Sequence, residues 1–433
     1  MCSYMEYTKE VRIIDNPDLL IVGGGIAGFS AAIAAKRAGV DVMLIEQYSV
    51  LGGLAAVGGV GAFCGETKGQ GEVFDEIVWK LERLDAISPY EPYEKREARP
   101  FDHEVLKLVL QDMAVKEEIK LLVHTRMVDV VTENQKIEAV LVHNISGVQA
   151  IRPQVVIDCT GDGVVARYGG FPCVSGDSLF HKALPMSLIF FMRDVRRERP
   201  NSLPEDITKY SPENVPMVSL WPEPDGKVGV KFKVIGFDPT DGLSLSKAEV
   251  FARSQIFSII GYLQEFAHRT GLSKDKISVK TYKYDYASMQ IGIRESWRII
   301  GEYVLVEDDL RIGRKFDDGI AVGRFYLDAL DPNTTKREHI VSSEALEVPP
   351  YHIPYRSLIP KDAKNLLVAG RCLSADQLAL SSARVMTTAS MMGQAAGKAA
   401  ALIIENRLNS PLDVDTTELR KILIEHGAIL DLE

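Results

Sequence analysis

Four arginines are placed where they could hold an anion: Arg294 and Arg298 in the run Ile291-Gly292-Ile293-Arg294-Glu295-Ser296-Trp297-Arg298, Arg356 in Ile353 to Pro360, and Arg384 ahead of a long small-residue stretch. A guanidinium stays charged and grips a carboxylate through two parallel N–H groups, so these positions suit a small carboxylate-bearing substrate. A single Arg more often pairs with an acid of its own chain, and the 291–298 run reads as a salt-bridged surface as readily as an anion clamp. His339, His352, Tyr303 and Tyr355 are the candidates for moving a proton at such a substrate, although a lone His or Tyr is more often a satisfied core residue. Cys64 is most simply a buried, inert thiol.

None of these groups carries electrons, so the elements around them must supply a cofactor. Leu19 to Glu46, LLIVGGGIAGFSAAIAAKRAGVDVMLIE, reads as strand, tight turn, helix, turn and strand. Gly23, Gly25 and Gly28 form G-x-G-x-x-G in that context. The first permits a sharp turn, the second leaves room for a pyrophosphate, and the third lets the helix lie close on the sheet. The helix N-terminus then points free N–H groups at the phosphates. Glu46, eighteen residues after Gly28, is placed to accept from both ribose hydroxyls. The stretch alone fits NAD, NADP or FAD.

Leu51 to Gly65 holds six glycines among fifteen residues and no charge. A linker would be polar; this loop suits backbone lying against a flat buried ligand, with Gly52 and Gly53 touching its phosphate or ribityl end. Amphipathic helices are expected at Glu72 to Leu84 and Asp102 to Val115, with Asp102 as N-cap and a charged loop, Glu91 to Arg99, between them. Strands are expected at Ile119 to His124, Ile137 to His143 and Ala150 to Ile157, the last two as a hairpin. Gly161, Gly163 and Ala166 could be a second fingerprint, but no second βαβ unit follows. From about Leu184 to Pro350 the βαβ grammar lapses, with short strands at Met186 to Met192 and Val228 to Val234 and a long helix at Ser246 to Thr270. It returns at Asn365 to Ala369. Met386 to Ile404 is a helix in which Ala389, Gly393, Gly397 and Ala401 leave one nearly bare face for another backbone or a flat ligand, and its N-terminal dipole favours negative charge. Residues 1–17 read as an extension and 411–433 as a peripheral helix and tail.

The chain has 433 residues, 46% of them hydrophobic and 25% charged, with no run long enough to span a bilayer, no apolar leader, and Arg196-Arg197 internal. Cytoplasmic location is the expectation. A net charge of −10 repels phosphate backbones, so nucleic acid is not an expected partner. Five scattered cysteines (Cys2, Cys64, Cys159, Cys173, Cys372) without C-x-x-C suggest free thiols and no metal site.

The assembled motifs resemble the FAD-dependent oxidoreductase family of glutathione-reductase-like flavoproteins, related to the fumarate-reductase-type group. The resemblance rests on GGGIAG at Gly23 to Gly28, Glu46, Gly52-Gly53, FDHEVLKLVL at Phe101 to Leu110 and VVIDCTGDG at Val155 to Gly163. It continues through GIRESWRIIGEY at Gly292 to Tyr303, IPYRSLIP at Ile353 to Pro360, NLLVAGRCLSAD at Asn365 to Asp376 and SARVMTTASMMGQAAGKAAAL at Ser382 to Leu402. It implies an α/β fold: a glutathione-reductase-like FAD-binding Rossmann domain (15–183 and 351–405), an inserted mixed α+β substrate domain (184–350) and a C-terminal peripheral helix and tail (406–433).

It further implies non-covalent FAD, since no His stands in a tethering motif. Gly23, Gly25 and Gly28 would meet the pyrophosphate, with Ile26 and Ala27 beside them. Glu46 and Gln47 would meet the ribose, and the backbone near Val128 the adenine. Gly52, Gly53, Leu54, Thr160, Gly161, Asp162, Gly370 and Arg371 would line the cofactor. Gly393, Gln394, Ala395 and Ala396 would lie at the flavin's pyrimidine end. Arg371-Cys372 departs from the acid that many relatives carry after this glycine, leaving the ribityl partner open.

The catalytic candidates are then Arg294, Arg356, Arg384, His352 and Tyr355. The expected activity is hydride exchange between flavin N5 and a small organic substrate. A flavin monooxygenase or halogenase and a non-catalytic FAD-fold binding protein are the alternatives. A small-molecule substrate and an unidentified electron donor or acceptor are the expected partners, with a homo-oligomer left open.

Overall fold

The computed structural model describes residues 5, 8–91, 98–177, 181–196, 203–270 and 279–432; Cys2, Arg197 and positions 92–97 of the charged loop lie outside them. Its centre is a five-stranded parallel sheet, ordered Leu366–Val368, Val155–Asp158, Leu19–Val22, Val42–Ile45 and Lys120–Leu122. The four strands other than Lys120–Leu122 are buried on both faces, which is why they read as unbroken apolar runs.

Alternate residues divide between two cores. Leu19, Ile21, Val42, Leu44, Val155, Ile157 and Leu367 face the helices Ile26–Arg37 and Met386–Glu405. Leu20, Val22, Met43, Ile45, Val156, Leu366 and Val368 face a second sheet through Met127, Ile137, Val140, Val142 and Ile151. That second sheet is ordered Arg12–Asp15, Gly147–Ile151, Lys136–Asn144 and Arg126–Glu133.

Three local expectations are corrected. Ala150 to Ile157 is two strands, in different sheets: Pro153 lies between Gly147–Ile151, which pairs antiparallel with Lys136–Asn144, and Val155–Asp158, which joins the parallel sheet. Within 1–17, Arg12–Asp15 is an edge strand, pairing Arg12 with Gln149. Ser246 to Thr270 is two helices, Gly242–Ser254 and Ile256–Thr270. The break follows from Ser254, whose hydroxyl donates to Phe251 O (2.8 Å) while Gln255 N turns to Ala252 O (3.1 Å).

A four-stranded antiparallel sheet, ordered Val218–Pro222, Val228–Val234, Met186–Asp194 and Tyr282–Ala287, carries these two helices on one face. Met186, Leu188, Phe190, Val228, Val230, Phe232 and Val234 form the core with Ala248, Ala252, Ile259 and Leu263. The intervening residues Ser187, Ile189, Lys231 and Lys233 therefore point the other way. Contacts also cross position 350: Gly319–Gly323 pairs with Tyr351–Pro354, and Leu305, Ile320 and Leu327 share the core of the helices Ile26–Arg37 and Met386–Glu405. The C-terminal helix Thr416–Glu425 buries Leu419 and Leu423.

Candidate active site

The glycine turn, Glu46, Asp158 to Gly163 and Gly370 all follow carboxyl ends of parallel strands, the crevice where open α/β sheets take ligands. Gly23 has φ +101°, which L side chains rarely adopt. A Cβ on Gly28 would sit 1.9 Å from Gly23 O, so helix and strand touch backbone to backbone. At Gly25 a Cβ would meet nothing nearer than Gly53 Cα at 3.8 Å, and the helix it opens, Ile26–Arg37, has no side-chain cap. Free N–H groups thus face open space beside a glycine, the cradle a pyrophosphate needs. Gly52 N donates to Gly24 O (2.8 Å), folding Gly52, Gly53 and Leu54 against this turn.

Glu46 is buried, accepting from Gly24 N (2.6 Å) and Tyr48 N (2.9 Å), and burial raises its pKa despite these bonds. Its other lone pairs remain for ribose hydroxyls. Gln47 beside it is exposed, and Thr125, three residues before Val128, donates its N–H to Glu46 O (2.9 Å). Replacing Glu46 with Ala is expected to cost about 1–3 kcal/mol by orphaning the two buried donors and to weaken FAD binding at least about tenfold, equivalent to ~1.4 kcal/mol. Glu46→Gln keeps an acceptor oxygen for only one of the two N–H groups and turns an amide NH2 toward the other, so it is expected to recover part of the lost stability. Denaturant melts and fluorescence titration of FAD check both.

Thr160 donates to Asp158 Oδ1 through its N–H (3.0 Å) and Oγ1 (2.7 Å), and Asp158 Oδ2 accepts from Val165 N (2.8 Å) and Ala166 N (3.2 Å). This fully buried carboxylate fixes the turn carrying Gly161 and Asp162. Arg371 donates to Asp162 Oδ1 (2.8 Å) and Ser296 Oγ (2.8 Å), so the residue that departs from the family pattern is tied to an acid from the neighbouring strand end. Tyr48, missed in the sequence, hydrogen-bonds Gln290, and burial, with the charges of Glu46 and Asp162, pushes its phenol up to about 12.

Gly393 to Ala396 pack within the fold. A Cβ on Gly393 would lie 2.0 Å from Ala27 O and one on Gly397 2.4 Å from Ala31 O, so the bare face receives the Ile26–Arg37 helix. Gln394 accepts from Val73 N (3.3 Å) and donates to His426 O (3.3 Å), and Ala395 and Ala396 are fully buried. The contacts at Gly393 and Gly397 hold the two helices together backbone to backbone.

The polar site lies instead at the first turn of Met386–Glu405, whose N-cap Val385 supplies no side-chain bond. Thr387 Oγ1 donates to Cys64 O (2.8 Å), anchoring the glycine-rich loop there. Just ahead, Arg384 Nη2 donates to Asp328 Oδ2 (2.9 Å), while its buried Nε has no partner. Arg294 approaches the same oxygen at 3.9 Å and is held by Pro185 O and Ser187 Oγ (both 2.8 Å). His339 Nε2 lies 4.0 Å from Asp328 Oδ1. Burial would raise Asp328, but the charges of Arg384, Arg294 and Lys231 hold it below the usual carboxylate range. Burial pushes the Cys64 thiol up to about 11, leaving it protonated near neutrality.

The other candidates are placed elsewhere. His352 accepts from Phe316 N at Nδ1 (3.0 Å) and donates from Nε2 to Leu430 O (2.9 Å); burial lowers its pKa, so it is a neutral structural imidazole. Tyr355, fully buried, donates to Pro411 O (3.1 Å). Arg356 is bidentate on Asp318 (2.9 and 3.3 Å), and Tyr303 donates to Asp309 (2.8 Å). Arg298 holds Ala375 O and Gly176 O (both 2.9 Å) and pairs with fully buried Glu295. Within the 291–298 run, Arg298 and Glu295 thus form a buried ion pair in place of the expected salt-bridged surface, and Arg294 faces the cluster. Asp328 and Lys231 were missed. Lys231 had a signal, two lysines on alternate positions of the apolar strand VGVKFKV.

Across residues 18–423 the chain matches the family model described as FAD dependent oxidoreductase. It belongs to that family. The cofactor is therefore FAD, and the glycine turn, Glu46 and the Asp158–Asp162 turn described above fit it. The curated relatives match only locally: a fumarate reductase (cytochrome) of Shewanella frigidimarina is 52% identical over 50 residues, 11% of this chain and 9% of that one. This chain thus covers about a tenth of that relative. Among solved structures, a geranylgeranyl bacteriochlorophyll reductase-like protein from Thermoplasma acidophilum aligns over 95% of this chain and 84% of its own, with 15% identity and TM-score 0.52. CabE, an aromatic hydroxylase from angucycline biosynthesis, aligns over 95% and 68%, with 14% identity and TM-score 0.50. At such identities the likeness is one of fold. Among the described residues of this oxidoreductase, no helix is long and apolar enough to cross a membrane.

Proposed function

We propose that the protein exchanges a hydride between its FAD and a small carboxylate-bearing substrate held by Arg294 and Arg384. The carrying observation is the unpartnered, buried Nε of Arg384, next to an uncapped helix N-terminus and a second, buried guanidinium. Arg384 can offer this donor to a carboxylate without releasing Asp328. Asp328 holds the two guanidinium groups near one point, which avoids paying for that order when substrate arrives.

Bound FAD supplies hydride transfer at N5. In this reading residues 15–183 and 351–405 hold the cofactor in the glutathione-reductase manner, residues 184–350 contribute the floor of the substrate site, and 406–433 pack outside. Gly23, Gly25 and Gly28 hold the pyrophosphate, Glu46 the adenosine ribose, and the Asp162–Arg371 pair the ribityl region. The N-terminal turn of Met386–Glu405 stabilises negative charge where it develops.

Anaerobic photoreduction followed by a screen of carboxylates and quinones tests this. Reoxidation of the flavin by an unsaturated or oxo carboxylate is expected, with the corresponding amide slower by about 10² or more, as for loss of a charge-assisted contact of ~3 kcal/mol. Hydroxylation of a substrate coupled to oxygen uptake would instead support a monooxygenase.

A further inference from the structure

We propose that Lys231 is the residue that exchanges a proton with the substrate in this site, an assignment that rests on the carboxylate reading above. The argument begins with strand register. Lys231 lies between Ile189 and Ser219 on neighbouring strands, and Lys233 lies opposite Ser187. All sit on the face turned away from the core of the two-helix layer. Arg294 is bound to Ser187 Oγ (2.8 Å) and Arg337 to Ser219 Oγ (2.5 Å), so Lys231 is set between the anchor points of two guanidinium groups.

Its neighbours differ in one decisive respect. Lys233 Nζ is committed to Lys336 O (3.0 Å), Arg294 to Pro185 O and Ser187 Oγ, and Arg384 to Asp328. Lys231 Nζ makes no hydrogen bond or ion pair with any described residue. Its place in the register beside the strand that anchors Arg294 at Ser187 sets it next to the Arg294–Asp328 cluster, where the charges of both act on it. Guanidinium groups hold protons too tightly to give them up near neutrality, and the Cys64 thiol is held protonated. Burial first, and then repulsion from Arg294, brings the Lys231 ammonium down to about 8, within reach of a working acid and base.

In the reducing direction one Nζ–H bond breaks, its electron pair stays on nitrogen, and the proton forms the new bond to the substrate's carbonyl oxygen or to the carbon next to its carboxylate. The two electrons reach the substrate as the hydride, so the substrate is reduced and the cofactor oxidised. Neutral Lys231 then regains its proton from water. In the oxidising direction, neutral Nζ takes the proton as the hydride departs.

Two measurements on the full-length FAD-loaded protein test the assignment. The first is site-resolved acylation with an amine-reactive acylating agent in short pulses between pH 6.5 and about 11.5, far enough to pass the ordinary lysine value, read by mass spectrometry. Lys231 is expected to react with a midpoint near 8, whereas a midpoint at the ordinary lysine value of about 10.4 overturns the proposal. The second uses acrylate and pyruvate, the simplest carboxylates with an activated C=C and C=O, as probes. Lys231→Met and Lys231→Arg should both keep FAD and probe affinity, judged by flavin difference spectra, yet reoxidise at least about 100-fold more slowly, as is usual for loss of a general acid. Near-normal rates in Lys231→Arg would reduce Lys231 to a charge and sink the proposal. If neither probe binds the wild-type protein, the carboxylate reading loses its support, and the acylation midpoint alone decides whether Lys231 has the acidity required.

Discussion

Gly393→Val is expected to yield no folded, yellow protein, and Gly393→Ala a protein destabilised by about 3 kcal/mol or more with reduced flavin content. The reason is the position of Ala27 O, 2.0 Å from where the added Cβ would lie. A backbone oxygen cannot rotate aside as a side chain can. It moves only if the whole Ile26–Arg37 helix moves, and that helix opens at the cradle proposed for the pyrophosphate. Gly397 meets Ala31 O in the same way one turn on, so relief by sliding is blocked. Gly242→Ala is the control: nothing lies within 4 Å of its added Cβ, and it should melt within about 0.5 kcal/mol of wild type. Wild-type melting and flavin content in Gly393→Ala would show that the two helices are not in backbone contact.

The second large effect is expected at Arg384. Arg384→Ala should lower kcat/KM for the carboxylate found in the screen by about 10²–10³ while FAD stays bound, the size seen when one preorganised donor is removed. It also takes from Asp328 its nearest cation, leaving Arg294 at 3.9 Å and His339 at 4.0 Å. Stability should therefore fall in Arg384→Ala and recover in part in Arg384→Ala/Asp328→Ala, because the second change removes the carboxylate left without its partner. Activity should not recover with it. Equal stability losses that simply add would mean that the two residues are not coupled, and an unchanged kcat/KM would remove Arg384 from the site.

Much of the nucleotide end was legible in the chain because its determinants are local: an apolar strand, a glycine turn, an Ala-rich helix and an acid follow one another within Leu19 to Glu46. The role of Gly393 to Ala396 was not, because a bare helix face has the same spacing whether a ligand or another backbone lies on it. The break at Pro153 was readable in principle, since proline interrupts a ladder, yet the apolar run on both sides hid a change of sheet. The substrate end resisted for a different reason. Cys64, Lys231, Arg294, Asp328 and Arg384 come from five separate segments, and only tertiary packing gathers them. Arginine candidates could be named from type alone, but nothing local distinguishes Arg294 and Arg384 from Arg298 and Arg356, which are occupied within the fold.

The contact between Ile26–Arg37 and Met386–Glu405 acts as a caliper. One jaw opens at the glycine turn and the other at Val385, and no side chain intervenes where Gly393 meets Ala27, so the gap between the jaws is set by backbone alone. The strand Val228–Val234 belongs to a different sheet and takes no part in that joint. A change on that strand that keeps the Lys231 amine and spares Gly229, whose added Cβ would lie 2.3 Å from the Trp221 ring, can thus alter what is gripped without altering the gauge.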